Sequence, residues 1–230
     1  MPILLHIETS TSVCSVALTR DGGVEFHKEN YEGLAHARNL GPFVDQALAY
    51  AKKKNYTIDA VAVSCGPGSY TGLRIGVSQA KGLCFGLHVP LIAINTLEIL
   101  TCSVMFGGQF DENALFCPMI DARRMEVYSA IYDAGLQAVK PVSADIIDEQ
   151  SYRTFLDKQP VYFFGDGAAK CKEVLNHPNA RFIDSVLPTA YDMMALAEMA
   201  YKRQDFKDVA YFEPFYLKEF VATTPKKKVL

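Results

Sequence analysis

The chain has 230 residues, of which 50% are apolar and 21% are charged, and its formal net charge is −3. These proportions are ordinary for a soluble globular protein, and the length allows one large domain or two small ones. The slightly acidic balance excludes a general basic footprint for nucleic acid. No apolar run reaches membrane-spanning length and no signal peptide is recognisable, so we expect a cytoplasmic protein without a membrane contact.

The six cysteines mostly lie within apolar runs and show no paired short spacing. This pattern is typical of reduced, buried thiols and fits a disulfide framework or a zinc site poorly. The cysteines are Cys14, Cys65, Cys84, Cys102, Cys117 and Cys171.

The chain begins with three predicted strands, Ile3–Thr9, Val13–Arg20 and Val24–Lys28, joined by turns of small or glycine residues. The first is almost continuously apolar, which indicates a central strand. An amphipathic helix is predicted over Ala35–Lys54, because its apolar residues recur at helical spacing.

The next segment combines a buried strand, a glycine turn and a helix. Val61–Cys65 is apolar and β-branched, Gly66-Pro67-Gly68 interrupts it, and Ser69 is a good N-cap for a helix that runs to about Leu87. Such a turn lets either an anion or another backbone segment come close. A tight strand-to-helix connection with small residues for packing is the alternative, and the segment matches neither the phosphate-loop nor the dinucleotide fingerprint.

Three blocks of this sequence resemble the signature of the TsaB (YeaZ) family. They are Ile7–Thr11, the run Gly66–Gly76 with Ala80–Gly82 behind it, and Ile120–Tyr128. The similarity runs in order from residue 3 to about residue 217, nearly the whole chain. It implies an α/β, actin-like ATPase (ASKHA, ribonuclease H-like) fold of two related lobes, each with a mixed sheet flanked by helices. It also implies a bacterial, non-catalytic partner of the TsaD enzyme in making threonylcarbamoyladenosine (t6A) on tRNA.

A glycine-containing stretch at Phe106–Gln109 suggests the boundary between the lobes. We expect an N-terminal lobe over residues 1–104, a second lobe over 105–188, a helix over 189–203 that packs back on the first lobe, and a C-terminal segment with a basic tail over 204–230. In the second lobe the predicted strands are Leu115–Ile120, Met125–Tyr132, Ala144–Ile147 and Val161–Phe164, followed by a helix near Ala169–Leu175.

The resemblance marks a set of candidate nucleotide- or anion-binding residues. In the actin-like ATPases the acid after the first strand faces a nucleotide's metal, and Glu8 holds that place here; pairing with a buried cation or capping of a turn is the alternative. The other candidates lie in the glycine turns and at the start of the second lobe. The full set is Glu8, Thr9, Ser10, Gly66, Gly68, Ser69, Thr71, Gly72, Arg123, Gly165 and Gly167.

Two of these elements depart from the ATPase pattern. In actin-like kinases the second phosphate loop needs glycines, whereas Arg123 and Arg124 occupy its place here. They suggest a partner or structural role, with an exposed salt bridge between Arg124 and Glu126 as the alternative. Between Gly165 and Gly167, Asp166 interrupts the double glycine of the adenosine-side turn, and a plain turn with this Asp as a helix cap explains it equally well.

The metal site of the catalytic relatives is expected to be missing. The resemblance places their two histidines, four residues apart on a helix, at Thr96 and Leu100, and neither residue is a useful metal ligand. We expect no catalytic residue and no required cofactor, although ATP or ADP could lie at the partner interface. His36, at the start of the first helix, is predicted to be structural.

The resemblance also implies partners. They are a TsaD-like catalytic subunit, a TsaE-like ATPase, a second copy when the chain is alone, and tRNA only indirectly through the complex. The predicted contact surface consists of Phe43, Ala47, Leu73, Val77, Lys81 and Cys84. The rival hypothesis is an independent enzyme, either an actin-like ATPase or an M22-type glycoprotein peptidase. The peptidase needs either a set of metal ligands or a nucleophile with a base, and neither is recognisable, since Ser69 has no histidine near it in sequence.

Overall fold

A computed structural model of the protein describes residues 2–33 and 35–218. Within these ranges the chain folds into two five-stranded mixed sheets flanked by helices. The predicted basic tail, with Lys226 to Lys228, lies outside the described residues. No helix of the described chain combines the length and the apolar character needed to cross a bilayer.

The first sheet has the strand order β3-β2-β1-β4-β5. Strand β1 lies at its centre, antiparallel to β2 and parallel to β4. All six of its side chains are buried, and four of them are apolar, which is typical of a central strand. The strands are β1 (Ile3–Glu8), β2 (Cys14–Arg20), β3 (Gly23–Asn30), β4 (Ala60–Gly66) and β5 (Leu91–Asn95).

Helices cover both faces of this sheet. Helices α1 (His36–Lys53) and α2 (Tyr70–Leu87) enclose one core with residues such as Leu5, Ile7 and Val63. On the other face, α3 (Thr96–Gly107) and the last helix, Met194–Arg203, enclose a second core with residues such as Leu4 and Ile92. Ser69 caps α2 by accepting a hydrogen bond from the Gly72 amide at 3.3 Å, as its position in the sequence predicts.

The second sheet repeats the topology of the first. Its order is β8-β7-β6-β9-β10, with β6 antiparallel to β7 and parallel to β9, so β6 corresponds to β1. This repetition confirms the expected two related lobes. The strands are β6 (Leu115–Asp121), β7 (Glu126–Tyr132), β8 (Ala138–Ile146), β9 (Val161–Phe164) and β10 (Ala180–Ile183).

The second lobe contains most of the errors of the sequence prediction. The predicted strand Ala144–Ile147 is only the end of β8, and β10 was not predicted. A one-turn helix, α4 (Arg153–Leu156), also went unpredicted, whereas the helix expected near Ala169–Leu175 is reduced to a 3-10 turn at Ala169–Cys171. β10, α4 and the 3-10 turn have only three or four residues each, so they lack the several turns or alternations that make a periodic pattern recognisable.

The last helix is shorter than the predicted Thr189–Tyr201. A 3-10 turn at Tyr191–Met193 precedes it, and regular α-helix, α5, runs over Met194–Arg203 against the first sheet. The lobe limits at residues 104 and 188 stay predictions. All six cysteines are free thiols, as the sequence predicts.

The C-terminal segment, residues 204–218, returns across the first sheet. The Lys207 amide donates to the Leu91 carbonyl at 2.8 Å, and the Phe215 amide donates to the Cys65 carbonyl at 2.7 Å. Lys81 on α2 donates to the carbonyls of Ala210 and Phe212 at 3.1 and 3.0 Å. The segment is therefore fixed along the end of β4 and the side of α2.

Candidate functional site

A cleft of about 730 Å³ lies between the lobes. It lies at the ends of β1, β4 and β6, where the strands of open α/β sheets commonly present ligand sites. Helix α2 begins at its floor, and the C-terminal segment forms part of one wall. Its polar lining residues are Ser10, Thr11, Ser12, His36, Ser69, Tyr70, Thr71, Asp121, Arg123, Tyr128, Asp166, Tyr216 and Lys218.

The glycines just before α2 and in its first turn pack against the β1–β2 loop. A Cβ atom at Gly68 would overlap the Ser10 carbonyl, and one at Gly72 would overlap the Thr9 carbonyl. The Ser69 amide donates to the Ser10 carbonyl at 2.7 Å, and the Thr9 hydroxyl donates to the Gly72 carbonyl at 2.8 Å. The alternative of a tight packing connection therefore accounts for these glycines.

The remaining glycine turns also face the protein's own backbone. Gly66 has φ +112° and lies against the Phe215 carbonyl, while Gly165 has φ +102° and lies against the Met119 carbonyl. Asp166 accepts a hydrogen bond from the Asp121 amide at 2.9 Å, which fixes this turn to the end of β6. Here Asp166 holds the end of a neighbouring strand, so its expected role as a helix cap is replaced by a tertiary contact.

Glu8 does not face the cleft. Its side chain is 0% exposed, and its Oε1 atom accepts a hydrogen bond from the Ser10 amide at 2.5 Å. Burial raises the pKa of Glu8 to about 7, and the neighbouring Ser10 and Ser64 side chains partly oppose that rise. Glu8 and Thr9 lie behind the cleft wall, so their geometry does not fit the metal of a nucleotide bound in the cleft.

The turn between β6 and β7 presents two arginines to solvent. Arg123 and Arg124 both have positive φ, 70° and 48°, a conformation that non-glycine residues adopt uncommonly. Neither guanidinium forms an ion pair with a carboxylate of the described residues, and Glu126 pairs with Lys218. The suggested Arg124–Glu126 salt bridge is therefore wrong. Arg123 lines the cleft and is available there for an anion.

Ser69 and His36 both border the cleft, but they are not arranged as a nucleophile and its base. The Ser69 hydroxyl is engaged as the cap of α2, and the His36 Nε2 atom is 2.8 Å from the Thr11 carbonyl oxygen. His36 thus holds the β1–β2 loop, in the structural role that the sequence predicts. The described residues contain no cluster of three or more potential metal ligands from His, Cys, Asp or Glu.

Thr96 and Leu100 lie one turn apart on α3. Both are fully buried, and Leu100 packs in the core between α3 and the second sheet. The positions that carry histidines in the catalytic relatives therefore contribute to the interior of this chain.

Most of the predicted contact residues are interior. Ala47, Leu73, Val77 and Cys84 are between 0 and 3% exposed, so their assignment to a partner surface is wrong. The apolar stripe of a surface helix faces its own core, and these four residues form that stripe. Phe43 is partly buried against the same core, and Lys81 is engaged by the C-terminal segment.

The outer face of α2 is the surface that the sequence analysis missed. It consists of Arg74, Ser78, Gly82 and Phe85, which recur at helical spacing and are all exposed. Phe85 is 78% exposed, and a Cβ atom added at Gly82 would meet nothing within 4 Å. The sequence signal for this face was Phe85, a large aromatic residue that lies outside the apolar stripe of α2.

Two lobes with the same sheet order and a cleft at their strand ends define the actin-like (ASKHA) class of α/β proteins. Within this class, the family model described as "TsaD: tRNA N6-adenosine threonylcarbamoyltransferase" matches residues 30–227. The chain belongs to the TsaB (YeaZ) family, as the sequence blocks predict.

Two relatives and one solved structure support this assignment. The tRNA threonylcarbamoyladenosine biosynthesis protein TsaB of Haemophilus influenzae is 30% identical over 227 residues, covering 95% of this chain and 94% of the relative. The Escherichia coli protein of the same name is 30% identical over 230 residues, covering 95% and 96%. A Pseudomonas aeruginosa structure, described as an uncharacterized protein with similarity to peptidase YEAZ, is 27% identical with a TM-score of 0.81 and covers 95% and 100%.

Proposed function

We propose that this protein is a non-catalytic subunit of the machinery that makes t6A on tRNA, and that it binds and supports a TsaD-like catalytic chain. The similarity to TsaB proteins along 95% of the chain carries this proposal. The burial of Thr96 and Leu100 supports the non-catalytic part, since the corresponding positions of the catalytic relatives supply metal ligands.

The outer face of α2 is the surface that suits the partner. Glycine weakens an exposed helix by about 1 kcal/mol relative to alanine, so Gly82 and Gly86 need a reason other than helix stability. Side chains at both positions would extend into open space, and their absence lets a second helix approach closely. Phe85 between them supplies a large apolar anchor of the kind that dominates interface energies.

The remaining parts of the proposal concern its ligands and location. Without its catalytic partner the chain forms a homodimer through the same face, because an exposed apolar patch favours association. A TsaE-like ATPase joins the complex, and tRNA is reached only through it. ATP or ADP is not required by this chain alone but can lie at the partner interface near Arg123. The complex acts in the cytoplasm.

The experiment compares Phe85→Asp with Phe106→Asp. Both phenylalanines are 78% exposed, one on α2 and the other on α3, so the two substitutions carry the same chemical change. We expect Phe85→Asp to weaken binding of the catalytic chain by at least about tenfold, because a buried charge replaces an apolar anchor. Light scattering of the mixed chains and tRNA threonylcarbamoylation by the reconstituted complex provide the two measurements.

Phe106→Asp should leave both measurements unchanged. If the Phe85→Asp and wild-type proteins bind the catalytic chain with equal affinity, the outer face of α2 is not the partner surface, while the t6A role is unaffected. The t6A role itself fails if the wild-type chain neither binds the catalytic chain nor increases its tRNA modification. ATP turnover or peptide cleavage by the isolated chain would contradict the non-catalytic part of the proposal.

A further inference from the structure

The C-terminal segment borders the outer face of α2 along one side. Near the start of the helix, the Tyr216 ring lies 4.8 Å from the Tyr70 ring. Further along the helix, Lys81 Nζ donates to the carbonyls of Ala210 and Phe212. A protein that covers the outer face of α2 therefore meets an edge that this segment forms.

The part of the segment beside the middle of α2 is a hydrogen-bonded turn, residues 208–212. Asp208 Oδ1 accepts hydrogen bonds from the Ala210 and Tyr211 amides at 2.8 and 3.2 Å. The Phe212 amide donates to the Asp208 carbonyl at 2.9 Å, and the Phe212 ring packs against the core beneath α1 and α2. These bonds, together with the two from α2, fix the backbone on both sides of Tyr211.

This turn holds the Tyr211 side chain in solvent. Tyr211 is 84% exposed, more than any other large apolar residue in the described part of the chain. Ordering a loop on binding reduces affinity, and a turn that is already ordered avoids this cost. A solvated tyrosine on a fixed backbone therefore has the properties of a preformed interface anchor, and tyrosine is among the residues that most often dominate interface energies.

Phe85 leaves α2 on the same side as Lys81. The two residues are four positions apart, so their Cβ atoms lie about 5–6 Å apart on one face of the helix. Packed helices have axes about 8–10 Å apart, and a helix with its side chains is about 10–12 Å across. A helix that packs on Gly82 therefore extends over this side of α2 and reaches the turn that carries Tyr211.

We infer, on the basis of the proposed function, that Tyr211 is a second anchor for the TsaD-like catalytic chain and that Lys81 positions it. Gly82 admits the backbone of the partner helix, while Phe85 and Tyr211 pack against its side chains. Lys81 acts through the turn, because its ammonium group is occupied by two carbonyls of this chain. The C-terminal segment thereby becomes part of the interface.

The test is a double-mutant cycle, measured as binding of the full chain to the immobilised catalytic chain. Tyr211→Ala should weaken binding about tenfold, because it removes an anchor ring, whereas Tyr211→Phe keeps the ring and should bind within about twofold of wild type. Lys81→Met keeps the aliphatic stem but loses both hydrogen bonds to the turn, and it should weaken binding about threefold. In the Tyr211→Ala background, Lys81→Met should have no further effect, since residues that act together are not additive.

Tyr31→Ala is the matched control. Tyr31 is 56% exposed and follows β3, at the edge of the first sheet opposite the edge that contacts the C-terminal segment. This variant should bind the catalytic chain like the wild type. Unchanged binding by Tyr211→Ala, an equal loss in Tyr31→Ala, or additive effects of Lys81→Met and Tyr211→Ala would each overturn the inference.

The same measurements separate this inference from the proposed function. If Tyr211→Ala binds normally while Phe85→Asp binds weakly, Tyr211 is not an anchor, but the outer face of α2 remains the partner surface. If the wild-type chain does not bind the catalytic chain, the proposed function and the role of Tyr211 both fail.

Discussion

Glu8 in the first lobe and Asp145 in the second are both shielded from water, but the two carboxyl groups have opposite surroundings. Asp145 on β8 accepts hydrogen bonds from Ser129, Tyr152 and Lys140 at 2.6, 2.8 and 2.8 Å, and from Ser143 at 2.8 Å. Burial alone would raise the pKa of Asp145, but these donors outweigh it and hold the pKa below its usual value. Glu8 accepts a hydrogen bond from the Ser10 amide and lies beside the Ser10 and Ser64 hydroxyls, but burial outweighs these donors and raises its pKa to about 7.

The difference shows what a protein must supply when it shields a charge. The second lobe provides four donors, one of them positively charged, so Asp145 requires no ligand. The donors that surround Glu8 in the first lobe, an amide and two hydroxyls, are neutral and do not outweigh burial, so this carboxyl keeps its proton to a higher pH. A buried carboxyl stays ionised where a cation and several donors surround it, and it takes up a proton more readily where the donors are fewer and neutral.

Removal of the Asp145 carboxyl should have the largest effect. Asp145→Ala leaves Lys140, Ser129 and Tyr152 without their acceptor, and we expect a loss of about 3 kcal/mol in the free energy of unfolding. Urea unfolding measures it. Asp148→Ala, which removes an exposed carboxyl from the following turn, should change the free energy by less than about 0.5 kcal/mol. Similar losses of unfolding free energy in the two variants would show that the hydrogen-bond network around Asp145 adds nothing to stability.

The pH dependence of the same residue gives a sharper test. Its pKa in the folded chain is lower than the ordinary 3.8, so the carboxylate stabilises the fold above that pH. The contribution is lost as the pH falls through the folded-state pKa. We therefore expect the gap in unfolding free energy between wild type and Asp145→Asn, about 2 kcal/mol at neutral pH, to narrow below about pH 4. A gap that stays constant down to pH 3 would contradict this assignment.

Glu8→Gln should have the opposite sign at alkaline pH. Burial raises the pKa of Glu8 from 4.5 to about 7, so ionisation of this carboxyl opposes folding as the pH rises through that range. The substitution removes that cost and keeps an acceptor for the Ser10 amide, so we expect a gain of about 1 kcal/mol in the free energy of unfolding at about pH 8 and almost none near about pH 4. Chemical unfolding at the two pH values provides the comparison. A clear loss of stability at about pH 8 would mean that the first lobe stabilises the ionised carboxylate.

The smallest effect is expected for Ser143→Ala. This change removes one of four donors to Asp145 while the Lys140 ion pair remains, so the loss should be about 0.7 kcal/mol. Ser151→Ala is the matched control, because Ser151 donates to Asp148 at 2.9 Å at an exposed site. Ser151→Ala should lose less than half as much unfolding free energy as Ser143→Ala. If Ser143→Ala loses as much stability as Asp145→Ala, the four donors do not act as separate contributors.

Much of the first lobe was predictable from the sequence. Strands β1 and β4 are apolar runs with clear ends, and Ser69 is the cap that its position before α2 suggests. The Asp145 network was not predictable, because β8 is an edge strand with Pro141 in its middle, which argues against a strand in the sequence. Its partner Tyr152 comes from a separate turn, and only the folded chain brings them together.

The candidate site shows the same limit. The sequence identified Glu8 and the glycine turns as unusual, but it could not show that the β1–β2 loop fills the space beside Gly68 and Gly72. The spacing of the apolar residues likewise distinguished two faces of α2, but it did not reveal which face stays exposed to solvent. The helical spacing of Leu73 and Val77 fits a core-facing stripe as well as a contact surface, and in the fold both residues are buried in the core.

The C-terminal segment has a mechanical consequence. Phe215 is bound to Cys65 at the end of β4, and three residues later Lys218 pairs with Glu126 on β7. The segment thus connects the two lobes at the edge of the cleft, and any separation of the lobes would break at least one of these two contacts.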